Sequence, residues 1–121
     1  MSKMVVVCNH PDPGSIMSTM IMGSSGLAVD NEVIMFFGPG GSSALLKGEL
    51  EKIRDMKLKG LPDPVELYNN IVELGGKVYL CILALENKGI NPDEDLREGV
   101  EVVDAPTFLM EAEGAGITLT F

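Results

Sequence analysis

The 121-residue chain has no tryptophan, one histidine, two cysteines and few basic residues, and each scarcity removes a class of function. With no Trp and aromatics at 5%, it lacks the side chains for a base-stacking platform or a sugar-binding shelf. Nine Lys and Arg against 18 Asp and Glu leave a net charge of -9, the wrong sign for a protein that clamps phosphate backbones. Cys8, Cys81 and His10 supply neither a disulfide framework nor the four clustered ligands that zinc usually takes, so no metal is expected. No run approaches 18 apolar residues, and no basic segment leads into an apolar run with a small-residue cleavage site. A cytoplasmic location is therefore expected.

What is present is apolar material for one core: 45% of residues are hydrophobic, enough for a single domain to fold without staples. Met4 to Cys8, Glu32 to Phe37 and Lys77 to Leu83 are short, near-continuous apolar runs rich in β-branched or aromatic residues, the pattern of strands covered on both faces. Val100 to Val103 and Ile117 to Phe121 complete five strands. Between them, Ser15 is a candidate cap for a helix to about Val29, with Gly23 to Gly26 as a candidate break. A short helix is expected from Ser42 or Ser43, and the charged stretch Gly48 to Gly60 reads as a peripheral connection.

Asp63-Pro64 opens a helix that Gly75-Gly76 ends, and Ala84 to Lys88 makes a short one before Gly89. Asn91-Pro92 predicts another short helix to about Glu98, and Asp104 caps a last one with Phe108, Leu109 and Ala112 on one side. Strands alternating with helices imply an α/β three-layer sandwich, a mostly parallel five-stranded sheet of flavodoxin-like general type, in a single domain spanning 1–121.

In such a sheet ligands sit beyond the carboxyl ends of the strands. Cys8, Asn9 and His10 follow the first strand, Gly38, Gly40, Gly41 and Ser42 follow the second, and Cys81 lies at or near the end of the third. A thiol at a strand end before a short helix meets unpaired backbone amides and the positive helix end, both of which favour thiolate. Against that stands the run Val-Tyr-Leu-Cys-Ile-Leu, a pattern that by itself favours an inert core thiol. Cys8 reads mainly as structural, and as a redox partner for Cys81 should the two sulfurs lie within bonding distance. His10 fits either a base or a loop residue. The Gly-rich turn lacks the Gly-Lys-Ser/Thr ending of a nucleotide loop and reads as a tight turn or a small anion nest.

The segment Gly-Gly-Lys-Val-Tyr-Leu-Cys at 75–81, followed by Lys88-Gly89-Ile90, Asp95-Leu96 and Gly99-Val100-Glu101-Val102-Val103, resembles the DsrE/DsrF-like family, whose members have the YchN-type fold. The early Val-Val-Val strand and Val-Ile-Met-Phe-Phe-Gly extend the resemblance over almost the whole chain. The resemblance implies a sulfurtransferase or sulfur carrier without an organic cofactor, in which Cys81 holds a persulfide. It implies sulfur received from a TusA-like carrier, a downstream acceptor protein, and assembly as a homotrimer or homohexamer. The competing readings are a non-catalytic module binding an anion or nucleotide at Asn9, His10 and the Gly38 to Ser43 turn, and a scaffold subunit of an oligomer.

Overall fold

The structure, a computed structural model, describes residues 2–121. Five strands, β1 (Lys3–Cys8), β2 (Glu32–Phe37), β3 (Lys77–Cys81), β4 (Val100–Val103) and β5 (Ile117–Thr120), form one sheet in the order β4-β3-β2-β1-β5, with every neighbouring pair parallel. Five helices connect or flank them: α1 (Pro13–Ala28), α2 (Glu49–Asp55), α3 (Pro64–Glu73), α4 (Leu83–Lys88) and α5 (Ala105–Ala112). A 3-10 segment, Pro39–Leu45, precedes α2. The five-stranded α/β sandwich expected from the apolar runs is the fold observed.

The winding direction decides how the two faces are covered. From β1 to β4 the chain steps across the sheet in one direction, and crossovers of constant hand place their helices on one face. There α1 packs beside α3, α2 against α3, and the 3-10 segment between α2 and α4. This layer buries the main core, which includes Val6, Cys8, Met17, Met20, Met35, Phe37, Leu45, Leu50, Ile71 and Leu80. The step from β4 back to β5 runs the other way, so α5 alone covers the opposite face. Beneath it lies a smaller cluster of Val5, Ile34, Phe36, Tyr79, Cys81 and Phe108.

Local chemistry accounts for most element boundaries. Asp63 caps α3 by accepting from the Val65 amide at 2.8 Å, and Asp104 caps α5 by accepting from the Thr107 amide at 2.9 Å, each with proline in the first turn. Gly89 ends α4 with φ +65°, a left-handed conformation that glycine adopts without a Cβ penalty.

Five expectations are corrected. Asp12, not Ser15, caps α1, because its carboxylate accepts from both the Ser15 amide (2.9 Å) and the Ser15 hydroxyl (2.8 Å). Gly23 and Gly26 do not break that helix; both are buried and let it approach Met35 and Met4 closely. The third strand stops at Cys81, since Ile82 already has helical backbone angles.

The remaining corrections concern two segments that brace each other. The charged stretch after Gly48 is not peripheral, because α2 buries Leu50 and Ile53, three residues apart, in the main core. Asn91 to Glu98 forms no helix. Asn91 Oδ1 accepts from the Asp93 amide at 2.9 Å and Asp95 Oδ2 from the Asn91 amide at 2.8 Å, closing a side-chain-bonded turn instead. Beyond that turn, Leu46 bridges Leu96 in antiparallel fashion. The Arg97 guanidinium grips Glu51 of α2 through two bonds of 2.7 and 3.0 Å and sits 5.2 Å from the centroid of the Tyr68 ring. It holds the Glu51 carboxyl below the usual range.

Because Leu50 is fully buried, Leu50→Ala is expected to cost about 2–5 kcal/mol in urea unfolding. A loss under about 1 kcal/mol would return α2 to the periphery.

Candidate functional site

Strand register and side-chain alternation place the candidate residues. Cys8 pairs with Phe37, Phe37 pairs with Leu80, and Cys81 lies one residue further along, opposite Val103. A one-residue offset reverses the face in a pleated sheet. Cys8 therefore points into the main core beneath the 3-10 segment, and Cys81 into the small cluster beneath α5. With β2 between them, their strands are about 10 Å apart, beyond the ~7 Å Cα separation that a disulfide spans. The structure does not bring the two thiols together.

Cys8 is fully buried, and its thiol donates to the His10 carbonyl at 3.6 Å. The His10 side chain is exposed and makes no hydrogen bond among the described residues. Asn9 and the Gly-rich turn are brought together by their backbones. Asn9 Oδ1 accepts from the Gly40 amide at 3.1 Å, the Gly38 amide donates to the Cys8 carbonyl at 3.1 Å, and the Gly41 amide donates to the Gly38 carbonyl at 3.0 Å. A Cβ on Gly40 would run into the Asn9 carbonyl oxygen, and one on Gly41 would lie 2.5 Å from the Cys8 carbonyl oxygen. Ser42 is buried, with its hydroxyl donating to the Pro39 carbonyl at 2.8 Å. These glycines are required for close backbone approach, and the amides of Gly38, Gly40 and Gly41 are already engaged.

Cys81 stands at the carboxyl rim of the sheet, 5% exposed, as the last residue of β3. The following amide, of Ile82, donates to the Val103 carbonyl at 2.9 Å and locks the strand end to β4. Ile82 and Leu83 then turn outward, 49% and 68% exposed, so an apolar surface adjoins the thiol in sequence. Phe108 of α5 belongs to the same cluster as Cys81 and stacks on Phe36 with ring centroids 4.3 Å apart and an interplanar angle of 13°.

The groups that hold α5 down were not singled out from the sequence. The Lys3 ammonium donates to the carbonyls of Glu111 (2.8 Å) and Glu113 (3.0 Å) at the carboxyl end of the helix, a favourable place for a cation. Lys77 pairs with Glu111 at 3.0 Å. The Tyr79 hydroxyl and the Lys77 ammonium keep the Glu111 carboxyl below the usual range, and burial pushes the Tyr79 hydroxyl up to about 12. Lysines at positions 3 and 77 and a glutamate at 111 carry no local signal of pairing; only the parallel register of β1, β2 and β3 makes them neighbours. Among the described residues no three of His, Cys, Asp and Glu cluster as metal ligands, and no helix is long and apolar enough to cross a membrane.

With this geometry in place, comparison with known proteins defines the class. The sequence profile of the DsrE/DsrF-like family matches residues 1–121, and the chain belongs to that family, whose members generally act in sulfur relay. It is similar to the uncharacterized protein MJ0760 of Methanocaldococcus jannaschii, 35% identical over 92 residues that make up 76% of this chain and 32% of that protein. The chain thus spans about a third of the length of that relative. The crystal structure of the YchN protein from E. coli superposes with a TM-score of 0.75 at 18% identity, covering 100% of both chains, and shows the same fold.

If α5 is what shields Cys81, then Phe108→Ala should raise the rate of Cys81 alkylation by iodoacetamide at least about five-fold, as expected for a local opening eased by ~1 kcal/mol. Alkylation of Cys8, in the other core, should remain unchanged and reports on global unfolding. Equal acceleration at both thiols would show that α5 is no separate cover.

Proposed function

We propose that the protein is a cytoplasmic sulfur-relay protein in which Cys81 carries sulfane sulfur as a persulfide. The observation that carries this reading is the placement of Cys81. Both thiols end a strand, but Cys81 is followed by the exposed apolar pair Ile82 and Leu83, while Cys8 is fully buried with its S–H directed to the His10 carbonyl. Family membership supports the same assignment.

In the proposed step the Cys81 thiolate attacks the terminal sulfur of a donor persulfide, R–S–SH. A new S–S bond forms at Cys81, the donor's S–S bond breaks, and the donor leaves as the thiolate R–S⁻. Delivery repeats the exchange, with an acceptor thiolate taking the outer sulfur and Cys81 restored as thiolate. No external oxidant or reductant is needed in either direction.

A nearly buried thiol must be uncovered for such an attack, and a docking partner that displaces the amino end of α5 or seats on Ile82 and Leu83 would do so. The proposed donor is a small TusA-like carrier and the acceptor a further protein thiol. A net charge of -9 favours encounter with basic partners. Assembly as a homotrimer or homohexamer belongs to the same proposal, supported by Leu109 and Met110, which leave the outer side of α5 apolar and 65% and 70% exposed.

The test is peptide-mapped mass analysis of the reduced protein after exposure to a persulfidated carrier. One reductant-labile sulfur is expected on Cys81, abolished in Cys81→Ser and retained in Cys8→Ser. Loading at neither thiol, with both verified as reduced, would overturn the proposal.

A further inference from the structure

A cleft of about 290 Å³ opens beyond the carboxyl ends of β1 and β2, on the α1 to α4 side of the sheet. Its walls include Pro11, Pro39, Leu46 and Ser43, with Gly40 in the lining and Lys88 as the single ionised side chain. Three physical features define what it can hold.

Its walls are rigid. Two are prolines with fixed φ, and the turn that carries Pro39 and Gly40 is fastened by the Asn9–Gly40 and Ser42–Pro39 hydrogen bonds. A pre-formed site loses little freedom when it is filled.

Its surface is mostly apolar carbon. The amides of the turn are engaged internally, so the cleft offers no cradle of free N–H groups to a phosphate. A strongly hydrated multivalent anion would lose its water there without replacement.

Its one charge has no partner within the protein. Lys88 is exposed and, like Lys47, Lys57 and Lys59, has no carboxylate within 4.0 Å among the described residues, which leaves it free to pair with a ligand. An unpaired ammonium in the lining of an apolar cleft selects a partner with an apolar body and one negative charge.

We propose that this cleft binds a small amphipathic monoanion, a carboxylate with an aromatic or branched aliphatic body of roughly a dozen heavy atoms. The carboxylate pairs with Lys88, and the body lies against Pro11, Pro39 and Leu46. The site is independent of Cys81, so it neither needs nor excludes sulfur relay.

The experiment is a ¹H–¹⁵N titration of the full chain with phenylacetate, benzyl alcohol and inorganic phosphate in parallel. Phenylacetate is expected to shift the amides of Gly40, Ser43, Leu46 and Lys88 with a Kd of ~1 mM, in keeping with a ligand of about ten heavy atoms. Benzyl alcohol should bind at least about five-fold more weakly, and phosphate should leave these amides unmoved. Lys88→Gln, an exposed change that leaves the fold intact, should weaken phenylacetate about five-fold, the effect of one partly solvated charge pair. Ser43→Leu, which fills the cleft, should abolish binding, and Cys81→Ser should leave it unchanged. No shift with phenylacetate up to tens of millimolar, equal binding of phosphate, or an unaltered affinity in Lys88→Gln would each overturn the proposal.

Discussion

Three crossovers carry the chain from β1 to β4 in one direction across the sheet, and the fourth turns back over the sheet to place β5 beside β1. With the hand of each crossover fixed by strand twist, that reversal puts four helices on one face and a single eight-residue helix on the other. The consequences reach every part of the molecule. The crowded face becomes the main core, and α5 needs specific fastenings: the Phe36–Phe108 stack, the Lys3 cap and the Lys77–Glu111 pair. The same constraint gives the two thiols different surroundings, because the face a cysteine occupies decides whether four helices or one lie above it.

Much of the fold could be read from local pattern. Strands buried on both sides appear as short unbroken apolar runs, and the ends of α3 and α5 are written in Asp-x-Pro or Asp-Pro openings and a following glycine. Legibility failed where the deciding contacts were distant or where two local signals competed. Asp12 and Ser15 are both good caps, and only the Asp carboxylate accepts from two Ser15 donors at once. The amphipathic signal of α2 is two residues, Leu50 and Ile53, in a field of charge, and it acquires meaning only because α3 and the 3-10 segment lie over it. Asn91-Pro92-Asp93-Glu94 has the composition of a helix start, yet its side chains close a turn on their own backbone instead.

The candidate site was legible in part. That Cys8, Asn9, the Gly-rich turn and Cys81 lie at one edge follows from strand ends alone. That Cys8 and Cys81 face opposite ways does not, because it depends on a one-residue register offset carried through β2. The turn after β2 illustrates how composition can mislead: its glycines suit an anion nest, but they are required where backbone meets backbone at Asn9 and Cys8. The groups that hold α5 over Cys81 lie at positions 3, 77 and 111, too far apart in sequence for any motif to join them.

The proposed relay requires that sulfane sulfur loaded on Cys81 be mobile. The most direct measurement is a single-turnover transfer in which the protein, loaded with isotopically labelled sulfane sulfur and freed of donor, is mixed with a reduced, unlabelled carrier. Both partners are then weighed intact over time. The account predicts that the label leaves Cys81 and appears on the carrier cysteine in equal amount, with no change in total thiol plus persulfide. Label that stays on Cys81, or that is released only as free sulfide, would contradict a relay and leave Cys81 as a thiol that merely reacts.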